Sequence, residues 1–158
     1  MNIHIKPFAE LTPHELYAVL QLRSAVFVVE QQCAYQDVDN QDLHAKHILL
    51  IHPDSNKLAA YARALPPTEK DPHAHIGRVV VAPEYRGQNL AHHLMHTAIA
   101  HLYQCFGAQL IIDIQAQSYL SKFYRSLGFE TCSAEYLEDG IPHCDMRLSP
   151  PPKDAPCN

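Results

Sequence analysis

The chain has 158 residues, which is enough for one domain with a single hydrophobic core. Its formal net charge of −5 argues against a broad basic surface for binding nucleic acid. Hydrophobic residues make up 47% and charged residues 18%, as in globular proteins, and no apolar run approaches the length needed to cross a membrane.

The N-terminus and the cysteines indicate a reducing compartment. The first residues lack the basic and then apolar pattern of a signal peptide. The five cysteines are scattered without a CxxC pair, so we expect free thiols in a cytoplasmic protein. Residues 150–158 are rich in proline and lack apolar periodicity, which predicts a disordered tail after a folded domain at residues 1–149.

The N-terminal half predicts a strand, a helix and then three more strands. A first strand is expected at Ile3–Lys6. Thr12-Pro13-His14-Glu15 forms a capping box with proline at the first helical position, and the helix is expected to run towards Phe27 or Glu30. The runs HILLIH and LAAYARAL predict a hairpin joined by HPDSNK. After a proline-broken loop, a further strand is expected from His75 to Val81.

The C-terminal half alternates helices with strands. Apolar spacing predicts a helix from Leu90 to Phe106 that ends at Gly107. QLIIDI predicts a buried strand and SYLSKFYRSL a short helix ending at Gly128. A strand is expected at Phe129–Leu137, followed by a turn at Asp139-Gly140 and a last strand, IPHCDMRL. The order β-α-β-β-β-α-β-α-β-β predicts an α/β domain, with a mixed sheet of seven strands flanked by helices.

The segment RVVVAPEYRGQNLAHHL leads from a strand through a turn into a helix. The first N–H groups of a helix have no partner within it and lie at the positive end of its dipole, which favours anions. Gly87 permits close backbone approach, and Arg86 adds a charge suited to phosphate oxygens. The turn therefore predicts a diphosphate site. The alternative is an ordinary strand–helix connection with a solvent-exposed arginine.

This segment resembles the first signature of the GNAT superfamily of acyl-CoA N-acyltransferases. The match covers Arg86, Gly87, Gln88, Asn89, Leu90 and Ala91. Asn89 replaces a signature glycine, and because asparagine tolerates left-handed backbone, we expect the turn to be kept. QSYLSKFYRSLGFE resembles the second signature, which contains Phe123 and Tyr124, and Gln117 stands where an asparagine is usual. Five segments between residues 7 and 148 together resemble the ElaA-like branch.

The resemblance implies a GNAT fold, in which a mostly antiparallel sheet is flanked by about four helices. Its fourth and fifth strands part to hold acetyl-CoA. It also implies direct transfer of the acetyl group to a primary amine in a ternary complex, with release of coenzyme A. The acceptor is then a small molecule or a peptide, and a homodimer is expected by analogy. The implied cofactor-binding residues are Val79, Val80, Val81, Arg86, Gly87, Gln88, Asn89, Leu90, Ala91, Gln117, Phe123 and Tyr124.

The implied reaction needs an acid and a base. Tyr124 holds the family's position for the acid that protonates the thiolate, and the alternative is a tyrosine that only packs. Glu30 is the first candidate for the base that deprotonates the amine, and the alternative is a solvated glutamate at a helix end. The carboxylates of Asp37, Asp39 and Asp42 either attract a cationic acceptor or are only solvated. The candidates for contact with the acceptor are Phe27, Glu30, Asp39, His75 and His143, and the two histidines are further candidates for the base.

Other classes of function stay open at this point. His92 and His96 have the i, i+4 spacing of zinc ligands, but no third ligand is apparent and no metal is expected. Acyl transfer through Cys33 or Cys144 would need a paired histidine that no motif supplies. A non-catalytic acyl-CoA-binding module would keep the cofactor site without the chemistry. Finally, LRSAVFVVE resembles a segment of acyl-homoserine-lactone synthases, which would favour longer acyl donors.

Overall fold

A computed structural model describes residues 1–150, and the predicted disordered tail at 150–158 lies outside this part except for its first residue. The strands are β1 (Asn2–Pro7), β2 (Lys46–Ile51), β3 (Leu58–Leu65), β4 (Ala74–Val81), β5 (Ile112–Gln117), β6 (Glu130–Thr131), β7 (Tyr136–Glu138) and β8 (Ile141–Leu148). The α-helices are α1 (Pro13–Arg23), α2 (Leu90–Phe106) and α3 (Ser121–Ser126). None of the described helices is long and apolar enough to cross a membrane.

The strands form one mixed sheet in the order β1-β2-β3-β4-β5-β8-β6, with β7 also paired to β8. Every pairing is antiparallel except that of β4 with β5. The mixed, mostly antiparallel architecture is confirmed, but the expected count of seven strands is wrong, because the sheet has eight.

The additional strand arises because the predicted strand Phe129–Leu137 divides into β6 and β7. Both pair with β8, where Thr131 lies opposite Met146 and Tyr136 opposite His143. The segment from Thr131 to Tyr136 therefore contains more residues than the matching stretch of β8, and the excess loops out of the ladder. Ser133 in this loop accepts a hydrogen bond from the Asp145 amide at 2.8 Å.

The first helix begins as predicted but changes its winding before it ends. The Thr12 hydroxyl accepts from the Glu15 amide at 3.1 Å, and Glu15 accepts from the Thr12 amide at 2.9 Å, which completes the capping box. The α-helix ends at Arg23, and Ser24–Glu30 continues it as a π-helical segment. Such wide turns are rare and often occur at functional sites. This one carries Phe27 and Glu30.

Two hydrophobic cores lie on opposite faces of the sheet. Alternate residues of β2 face opposite sides, so Leu49 packs with α1 while Ile48 and Leu50 belong to the core formed with α2. Because both faces are covered, β2 and β3 are buried along almost their whole length. The sheet is therefore a rigid central layer, and its middle strands can position a site.

The predicted parting of the fourth and fifth strands is confirmed. β4 pairs with β5 only at Ala74–Ile112 and His75–Asp113, and beyond these residues the two strands separate. The separation opens a cleft in the middle of the sheet, with the C-terminal end of β4 on one side and the C-terminal end of β5 on the other.

Candidate active site

A cavity of about 950 Å³ occupies the cleft between β4 and β5. It brings together most of the residues that the sequence predicted for the site. These are Phe27, Glu30, Asp39, His75, Val79, Val80, Val81, Arg86, Ala91, Gln117, Phe123, Tyr124 and His143. An adjoining cavity of about 230 Å³ is lined by Gly87, Asn89 and Leu90, while Gln88 lines neither.

The turn between β4 and α2 has the geometry of an anion site. Gly87 has φ 75° and Asn89 has φ 60°, so the position of the signature glycine keeps its left-handed backbone although it is an asparagine. No side chain caps α2. Within the described residues, none of the backbone N–H groups from Gly87 to His92 has a hydrogen-bond partner. Successive free donors at the positive end of a long helix fit a diphosphate.

Arg86 links this turn to the π-helical segment. Its Nη2 donates to Oε2 of Glu30 at 3.0 Å, and its Nε donates to the Val81 carbonyl at 3.3 Å. The side chains of Arg86 and Glu30 are 44% and 46% exposed, and ion pairs with such exposure are weak. The predicted phosphate-binding arginine and the predicted base are thus partners that a bound anion can separate.

Tyr124 lies on α3 with its ring among aromatic neighbours. The ring centroid is 4.9 Å from that of Phe123 and 6.1 Å from that of Phe129, both in edge-on arrangements. The side chain lines the cavity but is only 7% exposed, and its hydroxyl has no hydrogen-bond partner among the described residues. Burial, together with the neighbouring Tyr119, raises the pKa of Tyr124 to about 12. The phenol therefore stays protonated at neutral pH and has a proton to donate.

Gln117 ends β5 and is held by a residue that the sequence analysis did not single out. Its Nε2 donates to Oε1 of Gln31 at 3.1 Å, and Nε2 of Gln31 donates back at 3.4 Å. Gln31 directly follows the π-helical segment, so this pair of amides joins that segment to β5 across the cleft. No local sequence signal distinguishes Gln31 from an ordinary polar loop residue.

The two candidate histidines lie at different ends of the cavity. His75 pairs with Asp113, where β4 and β5 are still joined, and its Nε2 is 2.7 Å from Oδ2 of Asp71. His143 lies opposite Gln117, at the end where the strands have separated. Its Nδ1 donates to the Ile141 carbonyl at 2.7 Å, and its Nε2 lies 4.0 Å from Oε2 of Glu138.

The three aspartates of the first polar loop are paired with arginines and are not simply solvated. Asp37 and Asp42 are buried, and all three carboxylates bind arginines: Arg23, Arg63 and Arg78. Burial alone would raise the pKa of Asp42, but hydrogen bonds from Arg23 and Arg63 outweigh burial and lower it. Asp39 lines the cavity, yet both of its oxygens accept from Arg63. The aspartates and arginines together form a buried network, which the sequence analysis missed.

One signal in the sequence could have revealed this network. Arg23 stands at an apolar position of the first helix, in register with Val19 and Val26, and its side chain is fully buried. A buried guanidinium needs carboxylate partners, so an arginine on the apolar face of a helix indicates a carboxylate nearby in the fold.

The alternative chemistries find little support in the described part of the chain. No group of three or more His, Cys, Asp or Glu side chains there could hold a metal ion. The Cys33 thiol donates to the Asp139 carbonyl at 3.6 Å, and the Cys144 sulfur is 3.6 Å from the Ser121 hydroxyl. In these residues neither sulfur is hydrogen-bonded to a histidine that could activate it.

Comparison with known proteins extends the match to the whole domain. Residues 12–150 match the family model of the acetyltransferase (GNAT) domain. A UPF0039 protein of Schizosaccharomyces pombe is 45% identical over 143 residues, which cover 90% of this chain and 93% of that protein. The ElaA protein of Escherichia coli is 39% identical over 138 residues, covering 87% and 90% of the two chains.

Two crystal structures show the same architecture. An acyl-CoA N-acyltransferase from Pseudomonas aeruginosa superposes with a TM-score of 0.87 at 39% identity, covering 94% of this chain and all of that chain (100%). Escherichia coli ElaA superposes with a TM-score of 0.86 at 38% identity, covering 94% and 99%. From the parted strands, the anion-binding turn and these matches, we conclude that the chain belongs to the GNAT family of acyl-CoA N-acyltransferases.

Proposed function

We propose that this acyltransferase moves the acetyl group of acetyl-CoA to a primary amine by direct attack in a ternary complex. The observation that carries the proposal is a pair of adjoining cavities. They extend from the free N–H groups after Gly87, past the parted ends of β4 and β5, to Tyr124. N–H donors for a diphosphate therefore line the same space as the buried acid Tyr124.

The turn holds the diphosphate of the cofactor in this proposal. The N–H groups from Gly87 to Ala91 and the Arg86 guanidinium supply the donors. The side chain of Gln88 lines neither cavity, so only its backbone is assigned to binding. Gln117 and Phe123 lie further along the cleft and contact the pantetheine arm.

The chemistry requires stabilisation of an oxygen and protonation of a sulfur. Acetyl-CoA supplies an acetyl group activated as a thioester. Backbone N–H groups within Val79–Val81 donate to its carbonyl oxygen, where negative charge develops during attack. The Tyr124 phenol, which is protonated at neutral pH, donates a proton to the departing sulfur.

The amine must lose a proton, because an ammonium group has no lone pair. Glu30 lines the cavity and accepts this proton directly or through water. Its pairing with Arg86 is loosened when the guanidinium turns to the diphosphate, which leaves the carboxylate free to accept. His143 is the alternative base, because it lines the cavity at the end where β4 and β5 have separated.

The acceptor is a small-molecule or peptide amine. The cavity wall opposite the cofactor side is built from residues that follow the π-helical segment and from the β7–β8 hairpin, which contribute Gln31, Tyr35, Glu138 and Asp139. Such loops vary most within a fold, so the fold itself does not select the amine. The homodimer stays a prediction.

Calorimetry followed by a turnover assay tests the proposal. We expect the purified full chain to bind coenzyme A and acetyl-CoA, and to release thiol from acetyl-CoA with at least one amine among spermidine, a lysine peptide and a peptide with a free N-terminus. Absence of heat with either nucleotide would refute the cofactor site. Binding without turnover on any amine would favour the non-catalytic module. Faster turnover with longer acyl chains would favour the synthase-like alternative.

A further inference from the structure

β4 carries a bulge directly beyond the point where it leaves β5. Gly77 lies opposite Arg63 and Val80 opposite Tyr61, so Arg78 and Val79 together face the single residue Ala62. Arg78 adopts φ 53°, a left-handed conformation that is unfavourable for a residue with a Cβ. A bulge of this kind redirects the strand and its N–H groups. The redirected residues begin with Val79, where the oxygen-binding donors are proposed.

The Arg78 side chain is clamped by the polar loop between the π-helical segment and β2. Its Nε donates to Oδ1 of Asp37 at 2.7 Å, and its Nη2 donates to the Asp37 carbonyl at 3.1 Å and to Oδ2 of Asp39 at 3.4 Å. The guanidinium carbon also lies 5.6 Å from the centroid of the Tyr35 ring. Four contacts therefore hold the side chain of Arg78, a residue whose backbone is strained.

The clamp is anchored in the core. Asp37 accepts from Nε of Arg23 through Oδ2 at 2.9 Å, and its carbonyl accepts from Nη2 of Arg23 at 3.0 Å. The Tyr35 hydroxyl donates to Oδ1 of Asp37 at 2.9 Å. Arg23 is fully buried, so Asp37 cannot move towards solvent without exposing a gap behind it. The strained residue is thus connected through Asp37 to the fully buried Arg23.

Local strain persists only where the surroundings over-determine it, and it clusters at functional sites. We propose that Arg78 is a positioning residue for acetyl transfer. Its guanidinium, clamped by Asp37, holds the β4 bulge so that the N–H groups beyond it point at the thioester oxygen. The inference rests on the proposed function, since it assigns a cause to the geometry of the proposed oxygen-binding donors.

Three substitutions separate the parts of this proposal. Arg78→Ala removes the clamp, Arg78→Gly removes it while relieving the left-handed strain, and Arg78→Lys keeps the charge but loses the paired hydrogen bonds. Arg147→Ala is the matched control. Arg147 makes an equally close pair with Asp113, at 2.7 Å, at the end of the sheet where β4 and β5 are still joined.

We expect Arg78→Ala and Arg78→Gly to lower kcat by about 30-fold or more, because the backbone N–H groups beyond the bulge no longer point at the thioester oxygen. The KM for acetyl-CoA should change by less than about threefold, since the diphosphate turn is untouched. Arg78→Lys should recover part of kcat, and added guanidinium should partly rescue Arg78→Ala. Arg147→Ala should lose thermal stability while keeping kcat. A kcat within threefold of the parent for Arg78→Ala would overturn the proposal, as would equal losses in the control.

A spectroscopic measurement tests the same point without an acceptor. The carbonyl of [1-13C]acetyl-CoA should shift to lower infrared frequency on binding to the parent, because N–H donors polarise it. This shift should be lost or reduced in folded Arg78→Ala that still binds acetyl-CoA. An unchanged shift in that variant would refute the positioning role of Arg78 and would leave the proposed function standing. Failure of the parent to bind acetyl-CoA would refute the proposed function instead.

Discussion

The substitution Tyr124→Phe tests the chemistry most directly, because it removes one oxygen atom and little else. The ring is packed edge-on between Phe123 and Phe129, and phenylalanine keeps these contacts. The hydroxyl has no hydrogen-bond partner among the described residues, so its removal leaves no other group unpaired. We therefore expect the free energy of unfolding to change by less than about 0.5 kcal/mol.

The effect on turnover should be much larger than the effect on stability. General acids contribute about 10²- to 10⁴-fold, and the contribution is greatest when the pKa lies near the working pH. Burial raises the pKa of Tyr124 to about 12, well above that pH, so we place the effect near the lower limit. A loss of about 10² in kcat corresponds to about 2.7 kcal/mol of transition-state stabilisation.

The assay is thiol release from acetyl-CoA at saturating amine, alongside calorimetry with acetyl-CoA and thermal unfolding. The affinity for acetyl-CoA should stay within about threefold, because Tyr124 acts on the departing sulfur and the turn binds the diphosphate. Tyr103→Phe is a matched control, since Tyr103 is a half-buried tyrosine of α2 that lines neither cavity. Unchanged turnover in Tyr124→Phe, or an equal loss in both variants, would refute the assignment of Tyr124 as the acid.

Substitutions at three further positions test the turn, the base and the first helix. Asn89→Gly should bind acetyl-CoA within about twofold of the parent, whereas Asn89→Ala should destabilise the left-handed turn by about 1 kcal/mol and bind more weakly by calorimetry; equal binding by both variants would contradict the role of this conformation. Glu30→Gln should lower kcat about 10²-fold. Acetyl-CoA should bind as tightly or slightly more tightly, because Arg86 loses a competing partner. An unaltered kcat would show that another group acts as the base. Burial alone would raise the pKa of Glu15. Its hydrogen bonds, of which the one from Lys6 has the largest effect, instead lower this pKa from 4.5 to about 2. Its stabilisation is therefore present above pH 4.5 and is lost as the pH falls towards 2. Glu15→Gln should cost about 1 kcal/mol at pH 7 in denaturant titrations, since it removes a partly buried ion pair with Lys6; a cost that persists undiminished to pH 2 would show that the charge is irrelevant.

Features that depend on neighbouring residues could be predicted from the amino-acid sequence alone. The capping box at Thr12 and Glu15 started α1, because its two hydrogen bonds are local. The glycine–asparagine turn before α2 kept its left-handed residues for the same reason. The signature segments also placed Tyr124 and Arg86 at the cleft, as expected from the resemblance.

Features that depend on which distant segments meet could not be predicted from the sequence and became visible in the folded chain. The division of Phe129–Leu137 into two strands follows from its register against β8, which neither segment encodes alone. The pairing of Arg86 with Glu30 joins residues 56 positions apart, and the clamp of Arg78 by Asp37 joins residues 41 apart. A charged side chain looks the same in sequence whether it is solvated or buried. Its partner is chosen when the chain collapses, because a buried charge must find an opposite one wherever the fold brings it.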